Sequence, residues 1–229
     1  MYKWMFIAIA VLLLGACSPK DQGVIDPPLE VVTEEQGTDE GPADEPLATF
    51  DRGRLEADVY SNDFFDLSLE LPKGWVVLSR DEIDAIMNLG KEVLESEDST
   101  LVESLESSEV VSLMGIFKYP RDSKVTVNPS MLISAESIHP SSGIRDGQDY
   151  LEKSKAVLLE TGLAYDFEDV TTLKYDGQTY GFLKANIDMG EVVIRQSFYA
   201  LFREGYVVNI IMTYTTEDGM VELRSVLGE

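Results

Sequence analysis

Residues 65–71 read Phe-Asp-Leu-Ser-Leu-Glu-Leu, apolar and polar in strict alternation, which is the pattern of a half-buried strand that Pro72 stops. Pro72-Lys73-Gly74 is turn chemistry, and the apolar run 75–78 behind it predicts a hairpin with the first strand. At Ser79 or Arg80 the period changes to that of a helix. Ile83, Ile86, Met87, Val93 and Leu94 share one stripe, and Asp81, Glu82 and Asp84 sit where the first turn favours negative charge. The acidic stretch 95–109 carries Leu101, Val102 and Leu105, which predicts a second short helix after a break. Strands follow at 110–119 and 131–138, joined by a loop containing Pro120, Asn128 and Pro129, and 140–143 is again a loop. Asp146 with Asp149 three residues on predicts a cap. Tyr150, Leu151, Val157 and Leu158 then give a helix ending at Gly162.

The last third is the most regular. Asp176-Gly177, Met189-Gly190 and Glu204-Gly205 divide it into four β-rich runs, 167–175, 178–188, 191–203 and 206–214, which predict an antiparallel four-stranded meander. On the third run Val192, Ile194, Phe198, Ala200 and Phe202 share a face; on the fourth Val208, Ile210, Met212 and Tyr214 do. That one-sidedness calls for helices over a single apolar face. A final helix starts at a Thr215/Asp218 capping box and offers Met220, Leu223 and Leu227. The fold class is therefore α+β over residues 59–229: an antiparallel sheet of about six to eight strands covered by three or four helices, the C-terminal one included.

The pattern before residue 59 is different. A single Lys3, an apolar stretch 4–14 and small residues lead to Cys17; the stretch is short of the roughly 20 residues a spanning helix needs, so it is the core of a cleaved signal peptide occupying 1–16. From Ser18 to Asp58 come five of the nine prolines and twelve acids against Lys20, Arg52 and Arg54. Such a segment cannot bury enough apolar surface to offset its conformational entropy, and residues 17–58 are expected to be a disordered acidic tether with a reach of roughly 35 Å.

Leu14-Gly15-Ala16-Cys17 resembles the lipobox of bacterial lipoproteins, and Cys17 is the sole cysteine of the chain. The resemblance implies lipidation of Cys17 and an extracytoplasmic, membrane-anchored protein; by the family's rule Ser18 lacks the aspartate that signals inner-membrane retention, which leaves the outer membrane open to it in a cell with two membranes. Tyr60-Ser61-Asn62-Asp63-Phe64-Phe65 with Leu71-Pro72-Lys73-Gly74-Trp75 is similar to the first strands of small lipoproteins of Gram-positive bacteria. The order of elements resembles the PsbP-like fold over about residues 58–229. That fold implies binding or assembly and brings no catalytic residues.

Charge narrows the partners. The 229 residues hold 18 Lys and Arg against 42 Asp and Glu, a formal charge of −24, so phosphate backbones and anionic lipid are repelled and no nucleic-acid partner is expected. One cysteine and one histidine leave no Cys/His zinc site and no Cys–His nucleophile pair. His139 is a general-base or metal-ligand candidate only with carboxylate partners, and otherwise a loop residue. The acids Glu95, Glu97, Asp98, Glu103, Glu106 and Glu109 could offer oxygens to Ca²⁺ but lack the spacing of a calcium loop. No serine stands in a G-x-S-x-G elbow or S-x-x-K spacing. Among Trp75 and the tyrosines of the last strands, Tyr180 and Tyr199 are the candidates for a binding surface on an uncovered sheet face, with core packing as the plainer reading. The expectation is a non-enzymatic lipoprotein without cofactor that binds an envelope protein or assists an envelope complex; the alternative is a module for a small molecule, peptide or Ca²⁺.

Overall fold

A computed structural model describes residues 50–87, 110–160 and 163–228. Strands β1 (Arg54–Glu56), β2 (Val59–Asn62) and β3 (Leu67–Glu70) form a small antiparallel sheet in that order. Ala57 and Asp58, both at positive φ, make the tight turn between β1 and β2. The fold thus begins before residue 59: Phe50, which composition assigns to the tether, stacks among Phe64, Phe65 and Tyr206 with ring centroids 4.8–5.5 Å away.

The alternation of residues 65–71 holds, with Leu67, Leu69 and Leu71 buried and Ser68 and Glu70 exposed. The hairpin expected around Pro72-Lys73-Gly74 does not form. That turn instead carries the chain out of the small sheet into β4 (Val76–Val77), which pairs with a strand of the large sheet. The partner of β3 is β2, because Asn62 Oδ1 accepts from Phe65 N–H (3.1 Å) and folds residues 62–66 back first.

Helix α1 begins at residue 80 and is described to residue 87. Its start is a reciprocal capping box in which Ser79 N–H donates to Glu82 Oε2 (2.8 Å) and Glu82 N–H to Ser79 Oγ (3.3 Å). Val93, Leu94 and the helix expected at 95–109 lie outside the described residues. Strands β5 (Val110–Phe117) and β6 (Ser130–Ser137) pair with a bulge between Ser112 and Met114. A 3-10 turn, Pro140–Ser142, precedes α2 (Gly147–Glu160), whose start is capped where Asp149 N–H donates to Asp146 Oδ1 (2.9 Å).

Next come β7 (Tyr165–Phe167), β8 (Thr171–Tyr175), β9 (Gln178–Asp188), β10 (Val193–Arg203) and β11 (Tyr206–Tyr214). The run expected at 167–175 is two short strands, both antiparallel to β9. Asp176-Gly177 and Glu204-Gly205 are at positive φ throughout, as their hairpins require. Helix α3 (Glu217–Arg224) and a 3-10 turn, Ser225–Leu227, end the fold. The cap of α3 is Thr216 rather than Thr215: its hydroxyl accepts from Gly219 N–H at 3.2 Å.

The large sheet has the order β4-β5-β6-β11-β10-β9-β7, with β8 also on β9. The fold class is α+β, with antiparallel sheets and helices that include a C-terminal one. One expectation changes. The apolar sets of β10 and β11 lie on opposite faces, and both faces are covered; every position of β11 is buried. Phe198 and Ala200 of β10, with Val207 and Ile211 of β11, pack under α2 and α1. Val208, Ile210, Met212 and Tyr214 pack on the other side, under the small sheet and α3. Burying Tyr150, Leu151 and Leu158 of α2 contributes about 2 kcal/mol each.

Candidate functional site

Cys17 and the acids at 95–109 lie outside the described residues. His139 is exposed and caps the 3-10 turn, its Nδ1 accepting from Ser141 N–H at 3.1 Å with Ser141 Oγ at 2.7 Å. That is a local turn motif. Trp75 is half-buried against the second core. Tyr180 and Tyr199 are 3% and 2% exposed, so neither forms an open surface: the small sheet and α3 cover the face that alternation alone left bare. Tyr199 packs on Phe182 (4.9 Å between centroids) and Tyr180 faces Tyr175 (6.4 Å). Desolvation pushes both phenols up to about 12.

The cover is shorter than the sheet. Beyond it, on the same face as Tyr199, an open groove of about 810 Å³ lies between the strands and α3. Its floor is a row in register across four strands: Asp166 of β7 opposite Asn186 of β9, Asn186 opposite Arg195 of β10, and Arg195 opposite Tyr214 of β11. Asp188 and Val193 form the next row, and Glu168 with Lys184 the row on the other side. Glu217, Met220 and Arg224 of α3 make the wall.

Fixed contacts hold these groups in place. Arg195 Nη1 donates to Thr215 O at 2.5 Å, tying β10 to the start of α3. Lys184 Nζ stands 3.8 Å from Glu168 Oε2 and 5.7 Å from the Phe182 ring. Ser197 Oγ and Tyr214 Oη share a hydrogen bond of 3.0 Å at the inner end. Behind the wall Tyr199 Oη has no hydrogen-bond partner among the described residues, and the charges of Arg224 and Tyr214 act on its phenol.

Sequence reasoning missed the groove because Lys184, Asn186, Asp188 and Arg195 alternate with apolar residues as any solvated strand face does. Only the cross-strand register gathers them.

It also missed a polar network on the opposite face. Glu136, fully buried, accepts from Tyr150 Oη at 2.7 Å, and Asn209 Nδ2 donates to the same phenol oxygen at 2.9 Å. Burial first, then the Glu136 carboxyl, raises the Tyr150 phenol well above its ordinary value. The three groups are sealed beneath α2, and their role in the fold is to hold that helix in register on the sheet. Among the described residues no group of three His, Cys, Asp or Glu is placed to hold a metal ion, and no helix is long and apolar enough to cross a membrane.

No family model matches the sequence, and no curated protein does. Among solved structures the chain is similar to LpqN of Mycobacterium tuberculosis, described as involved in cell envelope biogenesis: 15% identity, 69% of this chain and 78% of that one, TM-score 0.39. It is also similar to the cyanobacterial PsbP protein of Synechocystis, with 15% identity, 80% and 95% coverage, and TM-score 0.41. Likenesses this shallow assign nothing.

Proposed function

We propose that this chain is an exported lipoprotein, anchored outside the cytoplasmic membrane through lipid on Cys17, whose domain is a non-catalytic module that binds an envelope partner in the groove between β7, β9, β10 and α3. The address is supported by residues 1–17, whose apolar stretch, small residues and single cysteine fit one processing route. The acidic segment between Cys17 and Phe50 is long enough to hold the domain a few nanometres off the bilayer.

The observation that carries the binding role is the groove itself. A sheet face that is apolar and covered over most of its area ends in an open concavity floored by carboxylates, an amide, a guanidinium and a phenol. Concave sites with a few convergent polar groups beside apolar surface are where ligands bind. Val193, 38% exposed, and Met220 supply the apolar contact there.

The test is photo-crosslinking in growing cells, with the reactive residue at Val193 in one strain and at Leu159 in another. Leu159 is 56% exposed on α2, over the opposite face. One defined envelope adduct from Val193 and none from Leu159 is the expected result; equal labelling from both positions removes the groove as the binding site. In parallel, the wild-type chain should carry acyl mass and partition to membrane while Cys17→Ser does neither. A soluble, unmodified wild type overturns the anchored reading.

A further inference from the structure

The chain enters the fold at one end of the large sheet, and the groove opens at the other. Phe50 is fixed among Phe64, Phe65 and Tyr206, with ring centroids 4.8–5.5 Å away. The two residues after it are fastened as well. Asn62 Nδ2 donates to Asp51 O at 3.0 Å, Tyr60 Oη donates to Arg52 O at 2.9 Å, and Arg52 Nη1 stands 3.8 Å from Asp84 Oδ2 of α1. A domain held from its N-terminal side is therefore held at Phe50, beside Tyr206. Tyr206 opens β11 opposite Arg203, the last residue of β10, and opposite Ser137, the last of β6.

The groove belongs to the far ends of the same strands. Arg195 lies opposite Tyr214 on its floor, and Asp188 opposite Val193 in the row beyond. Tyr206 and Tyr214 are the first and last residues of β11. At the rise of an extended strand they stand about 26 Å apart.

We infer that the anchored domain presents its groove away from the bilayer that holds Cys17, and that the occupant is a soluble segment of an envelope protein. The inference rests on the anchored, groove-binding reading above, and it adds the side from which the partner comes. Residues 18–49 separate the lipid from Phe50, a reach of roughly 30 Å for a chain of that length. That is close to the length of the strands beyond the pivot, so the bilayer excludes downward orientations whose upward counterparts stay free. The far end then stands further out on average. Charge does not reverse this. The groove sets four acids, Asp166, Glu168, Asp188 and Glu217, against Lys184, Arg195 and Arg224, which gives anionic lipid no net attraction.

The experiment places the acylated protein, purified from membranes, in vesicles of mixed phosphatidylcholine and phosphatidylglycerol that contain an acceptor-labelled lipid. A donor dye is attached at Asp63→Cys, exposed beside Phe64, or at Met189→Cys, 57% exposed on the turn between β9 and β10. Cys17 is the sole native cysteine and is acylated, so each dye has one site. Energy transfer should be about twofold greater from Asp63 than from Met189, because the two positions differ by roughly the length of β11. Deleting residues 21–44 shortens the reach and should raise that ratio. Equal transfer, greater transfer from Met189, or a ratio that the deletion does not raise overturns the inference. In cells, the peptide joined to the reactive residue at Val193 should map to a soluble segment of its protein. A lipid adduct, or a peptide from a membrane-spanning segment, overturns the inference and leaves the groove standing as the binding site. Equal labelling from Val193 and Leu159 removes the groove and this inference with it, and a wild type without acyl mass removes the anchored reading on which both rest.

Discussion

The two faces of the large sheet are finished in different ways. Under α2 the polar groups Glu136, Tyr150 and Asn209 are tied to one another, with Asn209 Oδ1 left without a partner among the described residues, and the helix backbone lies directly on the strands. Under the small sheet and α3 the core is richer in aromatics, but the cover stops short. A buried phenol there, Tyr199, lacks a partner, and charged side chains floor an open groove. An unmet buried polar atom costs about 1–3 kcal/mol on either face, so what separates the two is the open groove. The incomplete face is the one suited to bind something.

The contrast can be broken most forcibly at the α2 side. Gly147 opens α2 against Gly181 of β9 and the carbonyl of Ala200, and a Cβ on either glycine would overlap backbone. Gly181→Ala should therefore cost about 3 kcal/mol, the upper part of the overpacking range, as a lowered urea midpoint with unchanged slope. A loss under about 0.5 kcal/mol would mean that α2 does not sit so closely.

Tyr150→Phe comes next. It removes the hydroxyl that donates to Glu136 and accepts from Asn209, and should cost about 2 kcal/mol. Thr216→Ala at the start of α3 should cost about 1 kcal/mol and loosen the groove wall, read as faster amide exchange in α3.

The smallest effect at neutral pH comes from the buried phenols. Tyr60, Tyr180 and Tyr199 are raised from 10.0 to about 12 by burial, so above pH 10 the unfolded chain releases protons that the folded chain keeps. Their contribution is whole below pH 10 and is lost as pH climbs towards 12. The urea midpoint should fall across that window, and a midpoint flat through it would contradict the burial of these rings.

The local signals in the sequence were good guides where chemistry was local. The helix start at Ser79 or Arg80, the Asp146/Asp149 cap, the Asp176-Gly177 turn and the alternation of 65–71 all reappear in the fold. Alternation could not say which neighbour a strand takes. The pairing of β3 with β2 rather than β4 turned on one Asx turn at Asn62, and β10 and β11 carry apolar sets on opposite faces because β11 lies at the centre of the sheet. The groove was illegible for the same reason. Asp166, Asn186, Arg195 and Tyr214 come from four strands, and only the register makes them one row. Tyr180 and Tyr199 stand on that face, but they are buried under the small sheet, far away in sequence, together with α3.

The most direct test of the central contrast is the urea unfolding of Tyr199→Phe, set beside Tyr150→Phe. The same atom is removed on each face. If the second face is unfinished, Tyr199→Phe leaves stability unchanged or raises it by up to about 1 kcal/mol, while Tyr150→Phe lowers it. A loss of about 1 kcal/mol or more in Tyr199→Phe would show that its hydroxyl is already satisfied within the fold, and the face we read as waiting for a ligand would be complete without one.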